Sequence, residues 1–138
     1  MNILIDTNVI MDFIEEREPF VDAAQRVLVK CAEAKCTGLV CSSSVTDIYY
    51  LLQKRYGKAK ALEQIQTLLE TLTGTDVGHV DLRKAIESGM PDFEDAVVAH
   101  SAKRGKASYI VTRNLVDFEG SPVPAISPDD FNELDIDG

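Results

Sequence analysis

The residues of this chain best suited to chemistry are carboxylates placed at the ends of short apolar runs. Asp6 directly follows the run ending at Ile5, and Asp47 comes soon after a second run, Thr37–Cys41. Asp92 and Asp95 stand before a third, Tyr109–Val111, and Asp117 lies six residues beyond Val111. Carboxylates gathered near one point repel one another and raise each other's pKa, and a divalent cation removes that repulsion. Oxygen ligands with few His or Cys suit Mg²⁺ or Mn²⁺, which keep several waters and bind through few carboxylates together with a substrate phosphate. The matching chemistry is metal-assisted hydrolysis of a phosphodiester. No Ser–His–Asp or Cys–His arrangement competes with it, and the chain contains no GxxxxGK[ST] loop for a nucleoside triphosphate.

Each acid also has a plainer role open to it. Ser44–Val45–Thr46–Asp47 has the pattern of a capping box, so Asp47 could serve backbone donors at a helix start. Asp92 suits an N-cap answered by Asp95 three residues on. Asp6 could set the turn into the first helix, and Asp117 could sit in solvent. Capping does not explain why an acid directly ends a buried strand.

The elements that must position these acids follow from the apolar spacing. Strands are expected over residues 2–5, 37–41, 75–80 and 109–111, with a short fifth at 125–126. Helices are expected over Asn8–Glu16, from Phe20 to about Lys35, over Ser44–Tyr56 ended by Gly57, and over Lys58–Leu72. A short helix over Asp81–Glu87 and one over Asp92–Arg104, closed by Gly105, complete the set. Strands separated by helices imply a small parallel sheet of four to five strands, covered by helices on both faces, in an α/β fold. In such sheets sites form beyond the carboxyl ends of the strands, which is where nearly all of these acids fall.

At 138 residues and 45% hydrophobic, the chain is expected to form a single domain, residues 1–138, with its own core. It has no apolar stretch long enough to cross a bilayer. The start, Met1–Asp6, reads as no secretory signal, which points to a cytoplasmic protein. The three cysteines, Cys31, Cys36 and Cys41, lack zinc-ligand spacing and are expected to be reduced and mostly buried. His79 and His100 are read as structural or surface residues.

A net charge of −9 at first counts against a nucleic-acid partner. The charge is uneven, however. Seven acids and no Lys or Arg lie from Asp117 onward, which leaves residues 1–116 near −2. Residues from about 128 to 138 read as a solvated acidic segment. Basic residues cluster at Lys54, Arg55, Lys58 and Lys60, and again at Lys103, Arg104, Lys106 and Arg113. Acids that surround a cation would be neutralised by it, so affinity for a nucleic acid would depend steeply on divalent metal and modestly on a general basic field.

Three motifs carry a resemblance to a known family. Leu4–Ile5–Asp6–Thr7–Asn8–Val9–Ile10 resembles the opening motif of PIN-domain nucleases, and Asp92–Phe93–Glu94–Asp95–Ala96–Val97–Val98–Ala99 resembles their later acidic motif. Ile110–Val111–Thr112–Arg113–Asn114, followed by Asp117–Phe118, resembles their closing strand and rim. Their order and the chain length fit one compact PIN domain spanning nearly the whole chain. The resemblance implies a Mg²⁺- or Mn²⁺-dependent ribonuclease, commonly the toxin of a VapC-type toxin–antitoxin pair. By that resemblance Asp6 and Asp95 are the principal metal-binding acids, Asp117 matches a further acid, and Asp92 supplements the site. Asn8, Thr112 and Asn114 match polar residues that orient ligands, water or phosphate. Asp47 aligns where the family usually has Glu, one methylene longer.

The function expected is an endoribonuclease in which Asp6, Asp47, Asp95 and Asp117 form the site, and Lys54, Arg55, Lys103, Arg104 and Arg113 meet the RNA backbone. An antitoxin protein and a homodimer are the partners the resemblance implies. Two alternatives keep the fold: an RNA- or metal-binding module without turnover, and a housekeeping RNA-processing nuclease. A receiver-like phosphotransfer domain fits less well, because Asp6 has no paired acid beside it.

Overall fold

The computed structural model describes residues 1–136. Five strands, β1 (Asn2–Ile5), β2 (Thr37–Cys41), β3 (Thr73–Thr75), β4 (Tyr109–Val111) and β5 (Ala125–Ile126), form one sheet. Every pairing is parallel, and the order is β3-β2-β1-β4-β5. The chain therefore builds outward from β1 in one direction and then crosses to β4 on the other side. The reversal opens a crevice between the carboxyl ends of β1 and β4, the position at which sheets of this class bind ligands.

Alternation along the strands divides the core in two. Ile3, Ile5, Val40 and Val111 face a larger cluster with α1 (Thr7–Ile14), α2 (Val21–Ala32), α3 (Ser42–Tyr56) and α4 (Lys58–Thr71). Leu4, Leu39, Cys41 and Ile110 face the opposite side, against α6 (Phe93–Arg104), with α5 (His79–Glu87) packed on α6. The expected α/β architecture, helices on both faces of a parallel sheet, is the one observed. Gly57 ends α3 at φ +85°, a conformation that suits glycine, as expected. All three cysteines are buried free thiols, with Cys31 and Cys36 sulfurs 3.6 Å apart. Burial, followed by the neighbouring Cys36, pushes the Cys31 thiol pKa well up.

Three expectations need correction. The third strand is Thr73–Thr75, paired with Leu39–Cys41, and not residues 75–80. Gly78 starts α5 instead: its N–H donates to the Asp81 carboxylate at 2.8 Å, so Val80 falls inside a helix. Helix α3 begins at Ser42 with Cys41 at the cap, so Ser44 is not a cap and Asp47 closes no capping box. The C-terminal segment, finally, is not only a solvated tail. Ser127 caps α7 (Pro128–Asn132) by accepting from the Asp130 N–H at 3.0 Å, and Phe131 is fully buried in the larger core. The acids Asp129, Asp130, Glu133 and Asp135 do face solvent; Asp137 lies outside the described residues. Phe131→Ala is expected to lower unfolding free energy by about 3–5 kcal/mol, measured by urea denaturation. A loss below about 1 kcal/mol would mean that α7 is an appendage.

Candidate active site

Asp6 is placed by two elements at once. It ends β1, where its N–H donates to the Val111 carbonyl at 3.0 Å, and it caps α1, with Oδ1 accepting from the Thr7 N–H at 3.0 Å. Its other oxygen, Oδ2, accepts from the Thr112 hydroxyl at 2.9 Å and from Asn8 Nδ2 at 3.2 Å. Thr112 Oγ1 in turn accepts from Asn8 Nδ2 at 3.2 Å and from the Asn114 N–H at 3.0 Å. Asn8 Oδ1 accepts from the Arg113 N–H at 3.3 Å. This lattice bridges the crevice between β1 and β4 and fixes the carboxylate plane. Asn8 and Thr112 thus orient Asp6 itself.

Asp95 enters from the start of α6. Asp92 is the N-cap, its Oδ2 accepting from the Asp95 N–H at 3.0 Å, which leaves the Asp95 carboxylate free to face the crevice. Burial and then the charges of Asp6, Asp92, Asp117 and Glu94 raise the Asp95 pKa to about 6. Asp6 is raised too, first by burial and in part by Asp117, against the lowering effect of the Thr112 and Thr7 hydrogen bonds. Asp117 sits half-buried on a 3-10 helix (Leu115–Phe118) that follows β4. The three acids therefore share one field.

A cleft of about 600 Å³ opens along this rim, lined by Asp6, Asn8, Asp47, Glu94, Asp95 and Asn114 among others. Asp117 and Asp92 are not among its lining residues. Asp47 is exposed on α3 and faces the cleft, but its charge is not among those acting on Asp6 or Asp95. Among the described residues no three His, Cys, Asp or Glu side chains converge as a ready-made ligand set. Of the four carboxylates expected from sequence, Asp6, Asp95 and Asp117 thus act on one another electrostatically, while Asp47 lines the same cleft from α3. Two carboxylates lining one cleft, both raised first by burial and then by neighbouring acids, with no His or Cys among the lining residues, are a donor set that fits a hard cation keeping several waters.

The sequence profile of the PIN domain family matches residues 2–116. The chain belongs to the PIN domain family. It is 26% identical over 136 residues to Ribonuclease VapC1 of Aquifex aeolicus, covering 95% of this chain and 93% of that protein. The fold is similar to VapBC2 from Rickettsia felis, solved bound to a DNA fragment from its promoter: the TM-score is 0.69 at 20% identity, over 92% of this chain and 98% of that one. It is also similar to VapC20 of Mycobacterium tuberculosis, a toxin that cleaves the sarcin-ricin loop, with a TM-score of 0.62 at 15% identity over 78% and 86% of the chains.

The basic residues of this PIN domain are distributed differently from expectation. None of Lys54, Arg55, Lys103, Arg104 and Arg113 lines the cleft. Arg104 is turned onto the buried Asp81, with Nη2 2.7 Å from its Oδ2, and onto the Asp76 carbonyl at 2.8 Å. Burial alone would raise the Asp81 pKa, but the Arg104 hydrogen bonds, the Gly78 N–H and the Arg104 charge outweigh it and hold that carboxyl below its ordinary range. Arg113 is bound to the buried Asp12 at 2.6 Å and stacks on the Phe20 ring at 3.9 Å. Arg55 pairs with Glu15. Lys54 and Lys103 are solvent-exposed. Sequence reasoning missed Arg17, the basic residue that does line the cleft. Isolated between Glu16 and Glu18, it gave no sign of its position.

Proposed function

We propose that this PIN domain is an endoribonuclease that hydrolyses RNA phosphodiester bonds with Mg²⁺ or Mn²⁺, and that it acts as the toxin of a toxin–antitoxin pair in the cytoplasm. The observation that carries the reading is the pair of carboxylates Asp6 and Asp95, both partly desolvated and raised in pKa, lining one cleft at the reversal point of the sheet. Asp6 and Asp95 would hold the metal ion, which when bound lowers the pKa of an attacking water and shields charge on the phosphate. Asn8, Thr112 and Thr7 keep the Asp6 carboxylate in one orientation, so that little reorganisation is required as the substrate arrives. Asp117 and Asp92 deepen the negative field that draws the cation in, and Asn114, lining the cleft, presents an amide to water or phosphate. The likeness to VapC1 and to the VapBC structures supports an antitoxin as protein partner; a homodimer is proposed alongside it.

Purified protein is expected to cut RNA in Mg²⁺ or Mn²⁺ and to stop in excess EDTA. Induction of the chain alone is expected to arrest growth. Metal-independent cleavage would remove the proposed chemistry, and unimpaired growth at high expression of folded protein would remove the toxin role. The shorter Asp47, standing apart from the acidic set, favours a second reading, an RNA-binding PIN module without turnover. Tight RNA binding with no cleavage across several RNAs would select it.

A further inference from the structure

Besides Asp81, two carboxylates outside the acidic rim, at the C-terminal end of α1, are almost completely buried. The Asp12 side chain is 1% exposed and that of Glu15 is 4% exposed. Burying ionised carboxylates is costly unless they are paired, and three arginines do the pairing. Asp12 takes Arg113 Nε at 2.6 Å and Nη2 at 3.1 Å, with Arg17 Nη1 at 3.7 Å. Glu15 takes Arg17 Nη2 at 2.6 Å and Arg55. Three guanidinium groups on two carboxylates leave a surplus of one positive charge. Glu16 and Glu18, the flanking acids, are exposed and pair with none of the three among the described residues.

That surplus opens toward the cleft through Arg17. Its side chain is 40% exposed and lines the cleft, and its Nε and Nη1 donate no hydrogen bond among the described residues. The backbone holds it in place: Glu16 turns with φ +50°, Arg17 N–H donates to the Asp12 carbonyl at 3.0 Å, and its own carbonyl accepts from Phe20 and Val21. The cleft runs along one face of α1 from Asp6 and Thr7, through Met11, to Arg17 just beyond the helix end. Asp12, which the Arg17 guanidinium approaches to 3.7 Å, lies six residues along from Asp6, about 9 Å of helical rise, so Arg17 is set apart from the Asp6 end of the cleft.

We propose that Arg17 binds an RNA backbone phosphate flanking the one that reacts, with Asp12 and Glu15 as positioning residues that present its free N–H donors to the cleft. The assignment rests on the ribonuclease reading above. A guanidinium suits this task because its fork can satisfy a buried carboxylate on one edge and a phosphate on the other.

The test is binding of a labelled single-stranded RNA oligonucleotide to wild type, Arg17→Ala, Arg17→Gln and Arg17→Lys across a salt series, in Ca²⁺ so that a cation is present while hydrolysis is slow. Cleavage kinetics are measured in parallel in Mg²⁺. Arg17→Ala and Arg17→Gln are expected to weaken binding about tenfold and to flatten the plot of log affinity against log salt by about one phosphate's share. They should raise KM with kcat little changed, and Arg17→Lys should recover part of the affinity. Gln keeps the aliphatic stem and a neutral donor, which guards against a variant that merely fails to fold. Unchanged affinity and salt slope in both neutral variants, with wild type binding normally, overturn the assignment of Arg17 alone. Failure of wild type to bind or cut any RNA overturns it together with the ribonuclease reading.

Discussion

Replacing Asp6 by Asn is expected to lower RNA cleavage by at least about two orders of magnitude, the scale on which loss of one preorganised electrostatic group is felt in a site of this kind. Asn is nearly isosteric, so the change tests charge rather than shape. Its amide oxygen can still accept from Thr112 and Asn8, while its NH₂ group would face the Thr7 N–H, which loses its cap. The protein should therefore fold with only a modest stability cost, of the order of 1 kcal/mol for a weakened cap. The same substitution carries an internal control. Because the Asp6 charge is one of the causes that raise Asp95, the Asp95 pKa should move down from about 6 in the variant. Single-turnover cleavage gives the first readout and carboxyl NMR titration the second. Undiminished cleavage by a folded Asp6→Asn protein would sink the site; an unmoved Asp95 would show that the two acids do not share a field.

The second large effect runs the opposite way for stability. Asp95 has a folded pKa of about 6 against an ordinary 3.8, so the folded state holds its proton more tightly than the unfolded chain does. Stability contributed by this group is present at low pH and is lost as pH rises from about 4 through 6. Asp6, raised as well, acts in the same direction. Asp81 acts oppositely, since its depressed pKa makes its stability fade only as pH falls below the ordinary carboxylate range. At pH 7.5 in EDTA, Asp95→Asn should melt several degrees above wild type, and the difference should shrink toward pH 4.5. Adding Mn²⁺ should raise the wild-type melting temperature and leave that of Asp95→Asn nearly unchanged, because a ligand stabilises only the state that binds it. A variant that melts below wild type at pH 7.5 in EDTA would refute the repulsion. Ionised together, these carboxylates cost the apo fold stability, and the binding of a cation offsets that cost.

The pattern of strands and helices was legible because the apolar residues repeat at two clear periods. β1, β2, β4 and β5 lie where alternation and short apolar runs predict them, and α3 and α4 meet at Gly57 as its freedom at positive φ requires. The failures have local causes. Residues 75–80 contain Val77 and Val80, which read as a strand, yet the Asp81 carboxylate captures the Gly78 N–H and begins a helix there. The acids after Asp117 conceal Phe131, one buried ring in a segment whose average is polar.

Within the candidate site, the sequence by itself determined which acids could act. An Asp at the end of a buried strand and an acid pair at a helix start are local features, set by neighbours a few residues away. It likewise determined membership in the PIN domain family through motifs that are contiguous in the chain. Which charges meet across space was decided only by the tertiary structure. Arg104 and Arg113 looked like free cations in basic runs, but their partners, Asp81 and Asp12, lie 23 and 101 residues away. Arg17 looked like an isolated base among acids, but Asp12 and Glu15, buried at the C-terminal end of α1, hold it at the cleft. A charge's role depends on its burial and on its nearest opposite charge, and both are fixed only when distant segments pack.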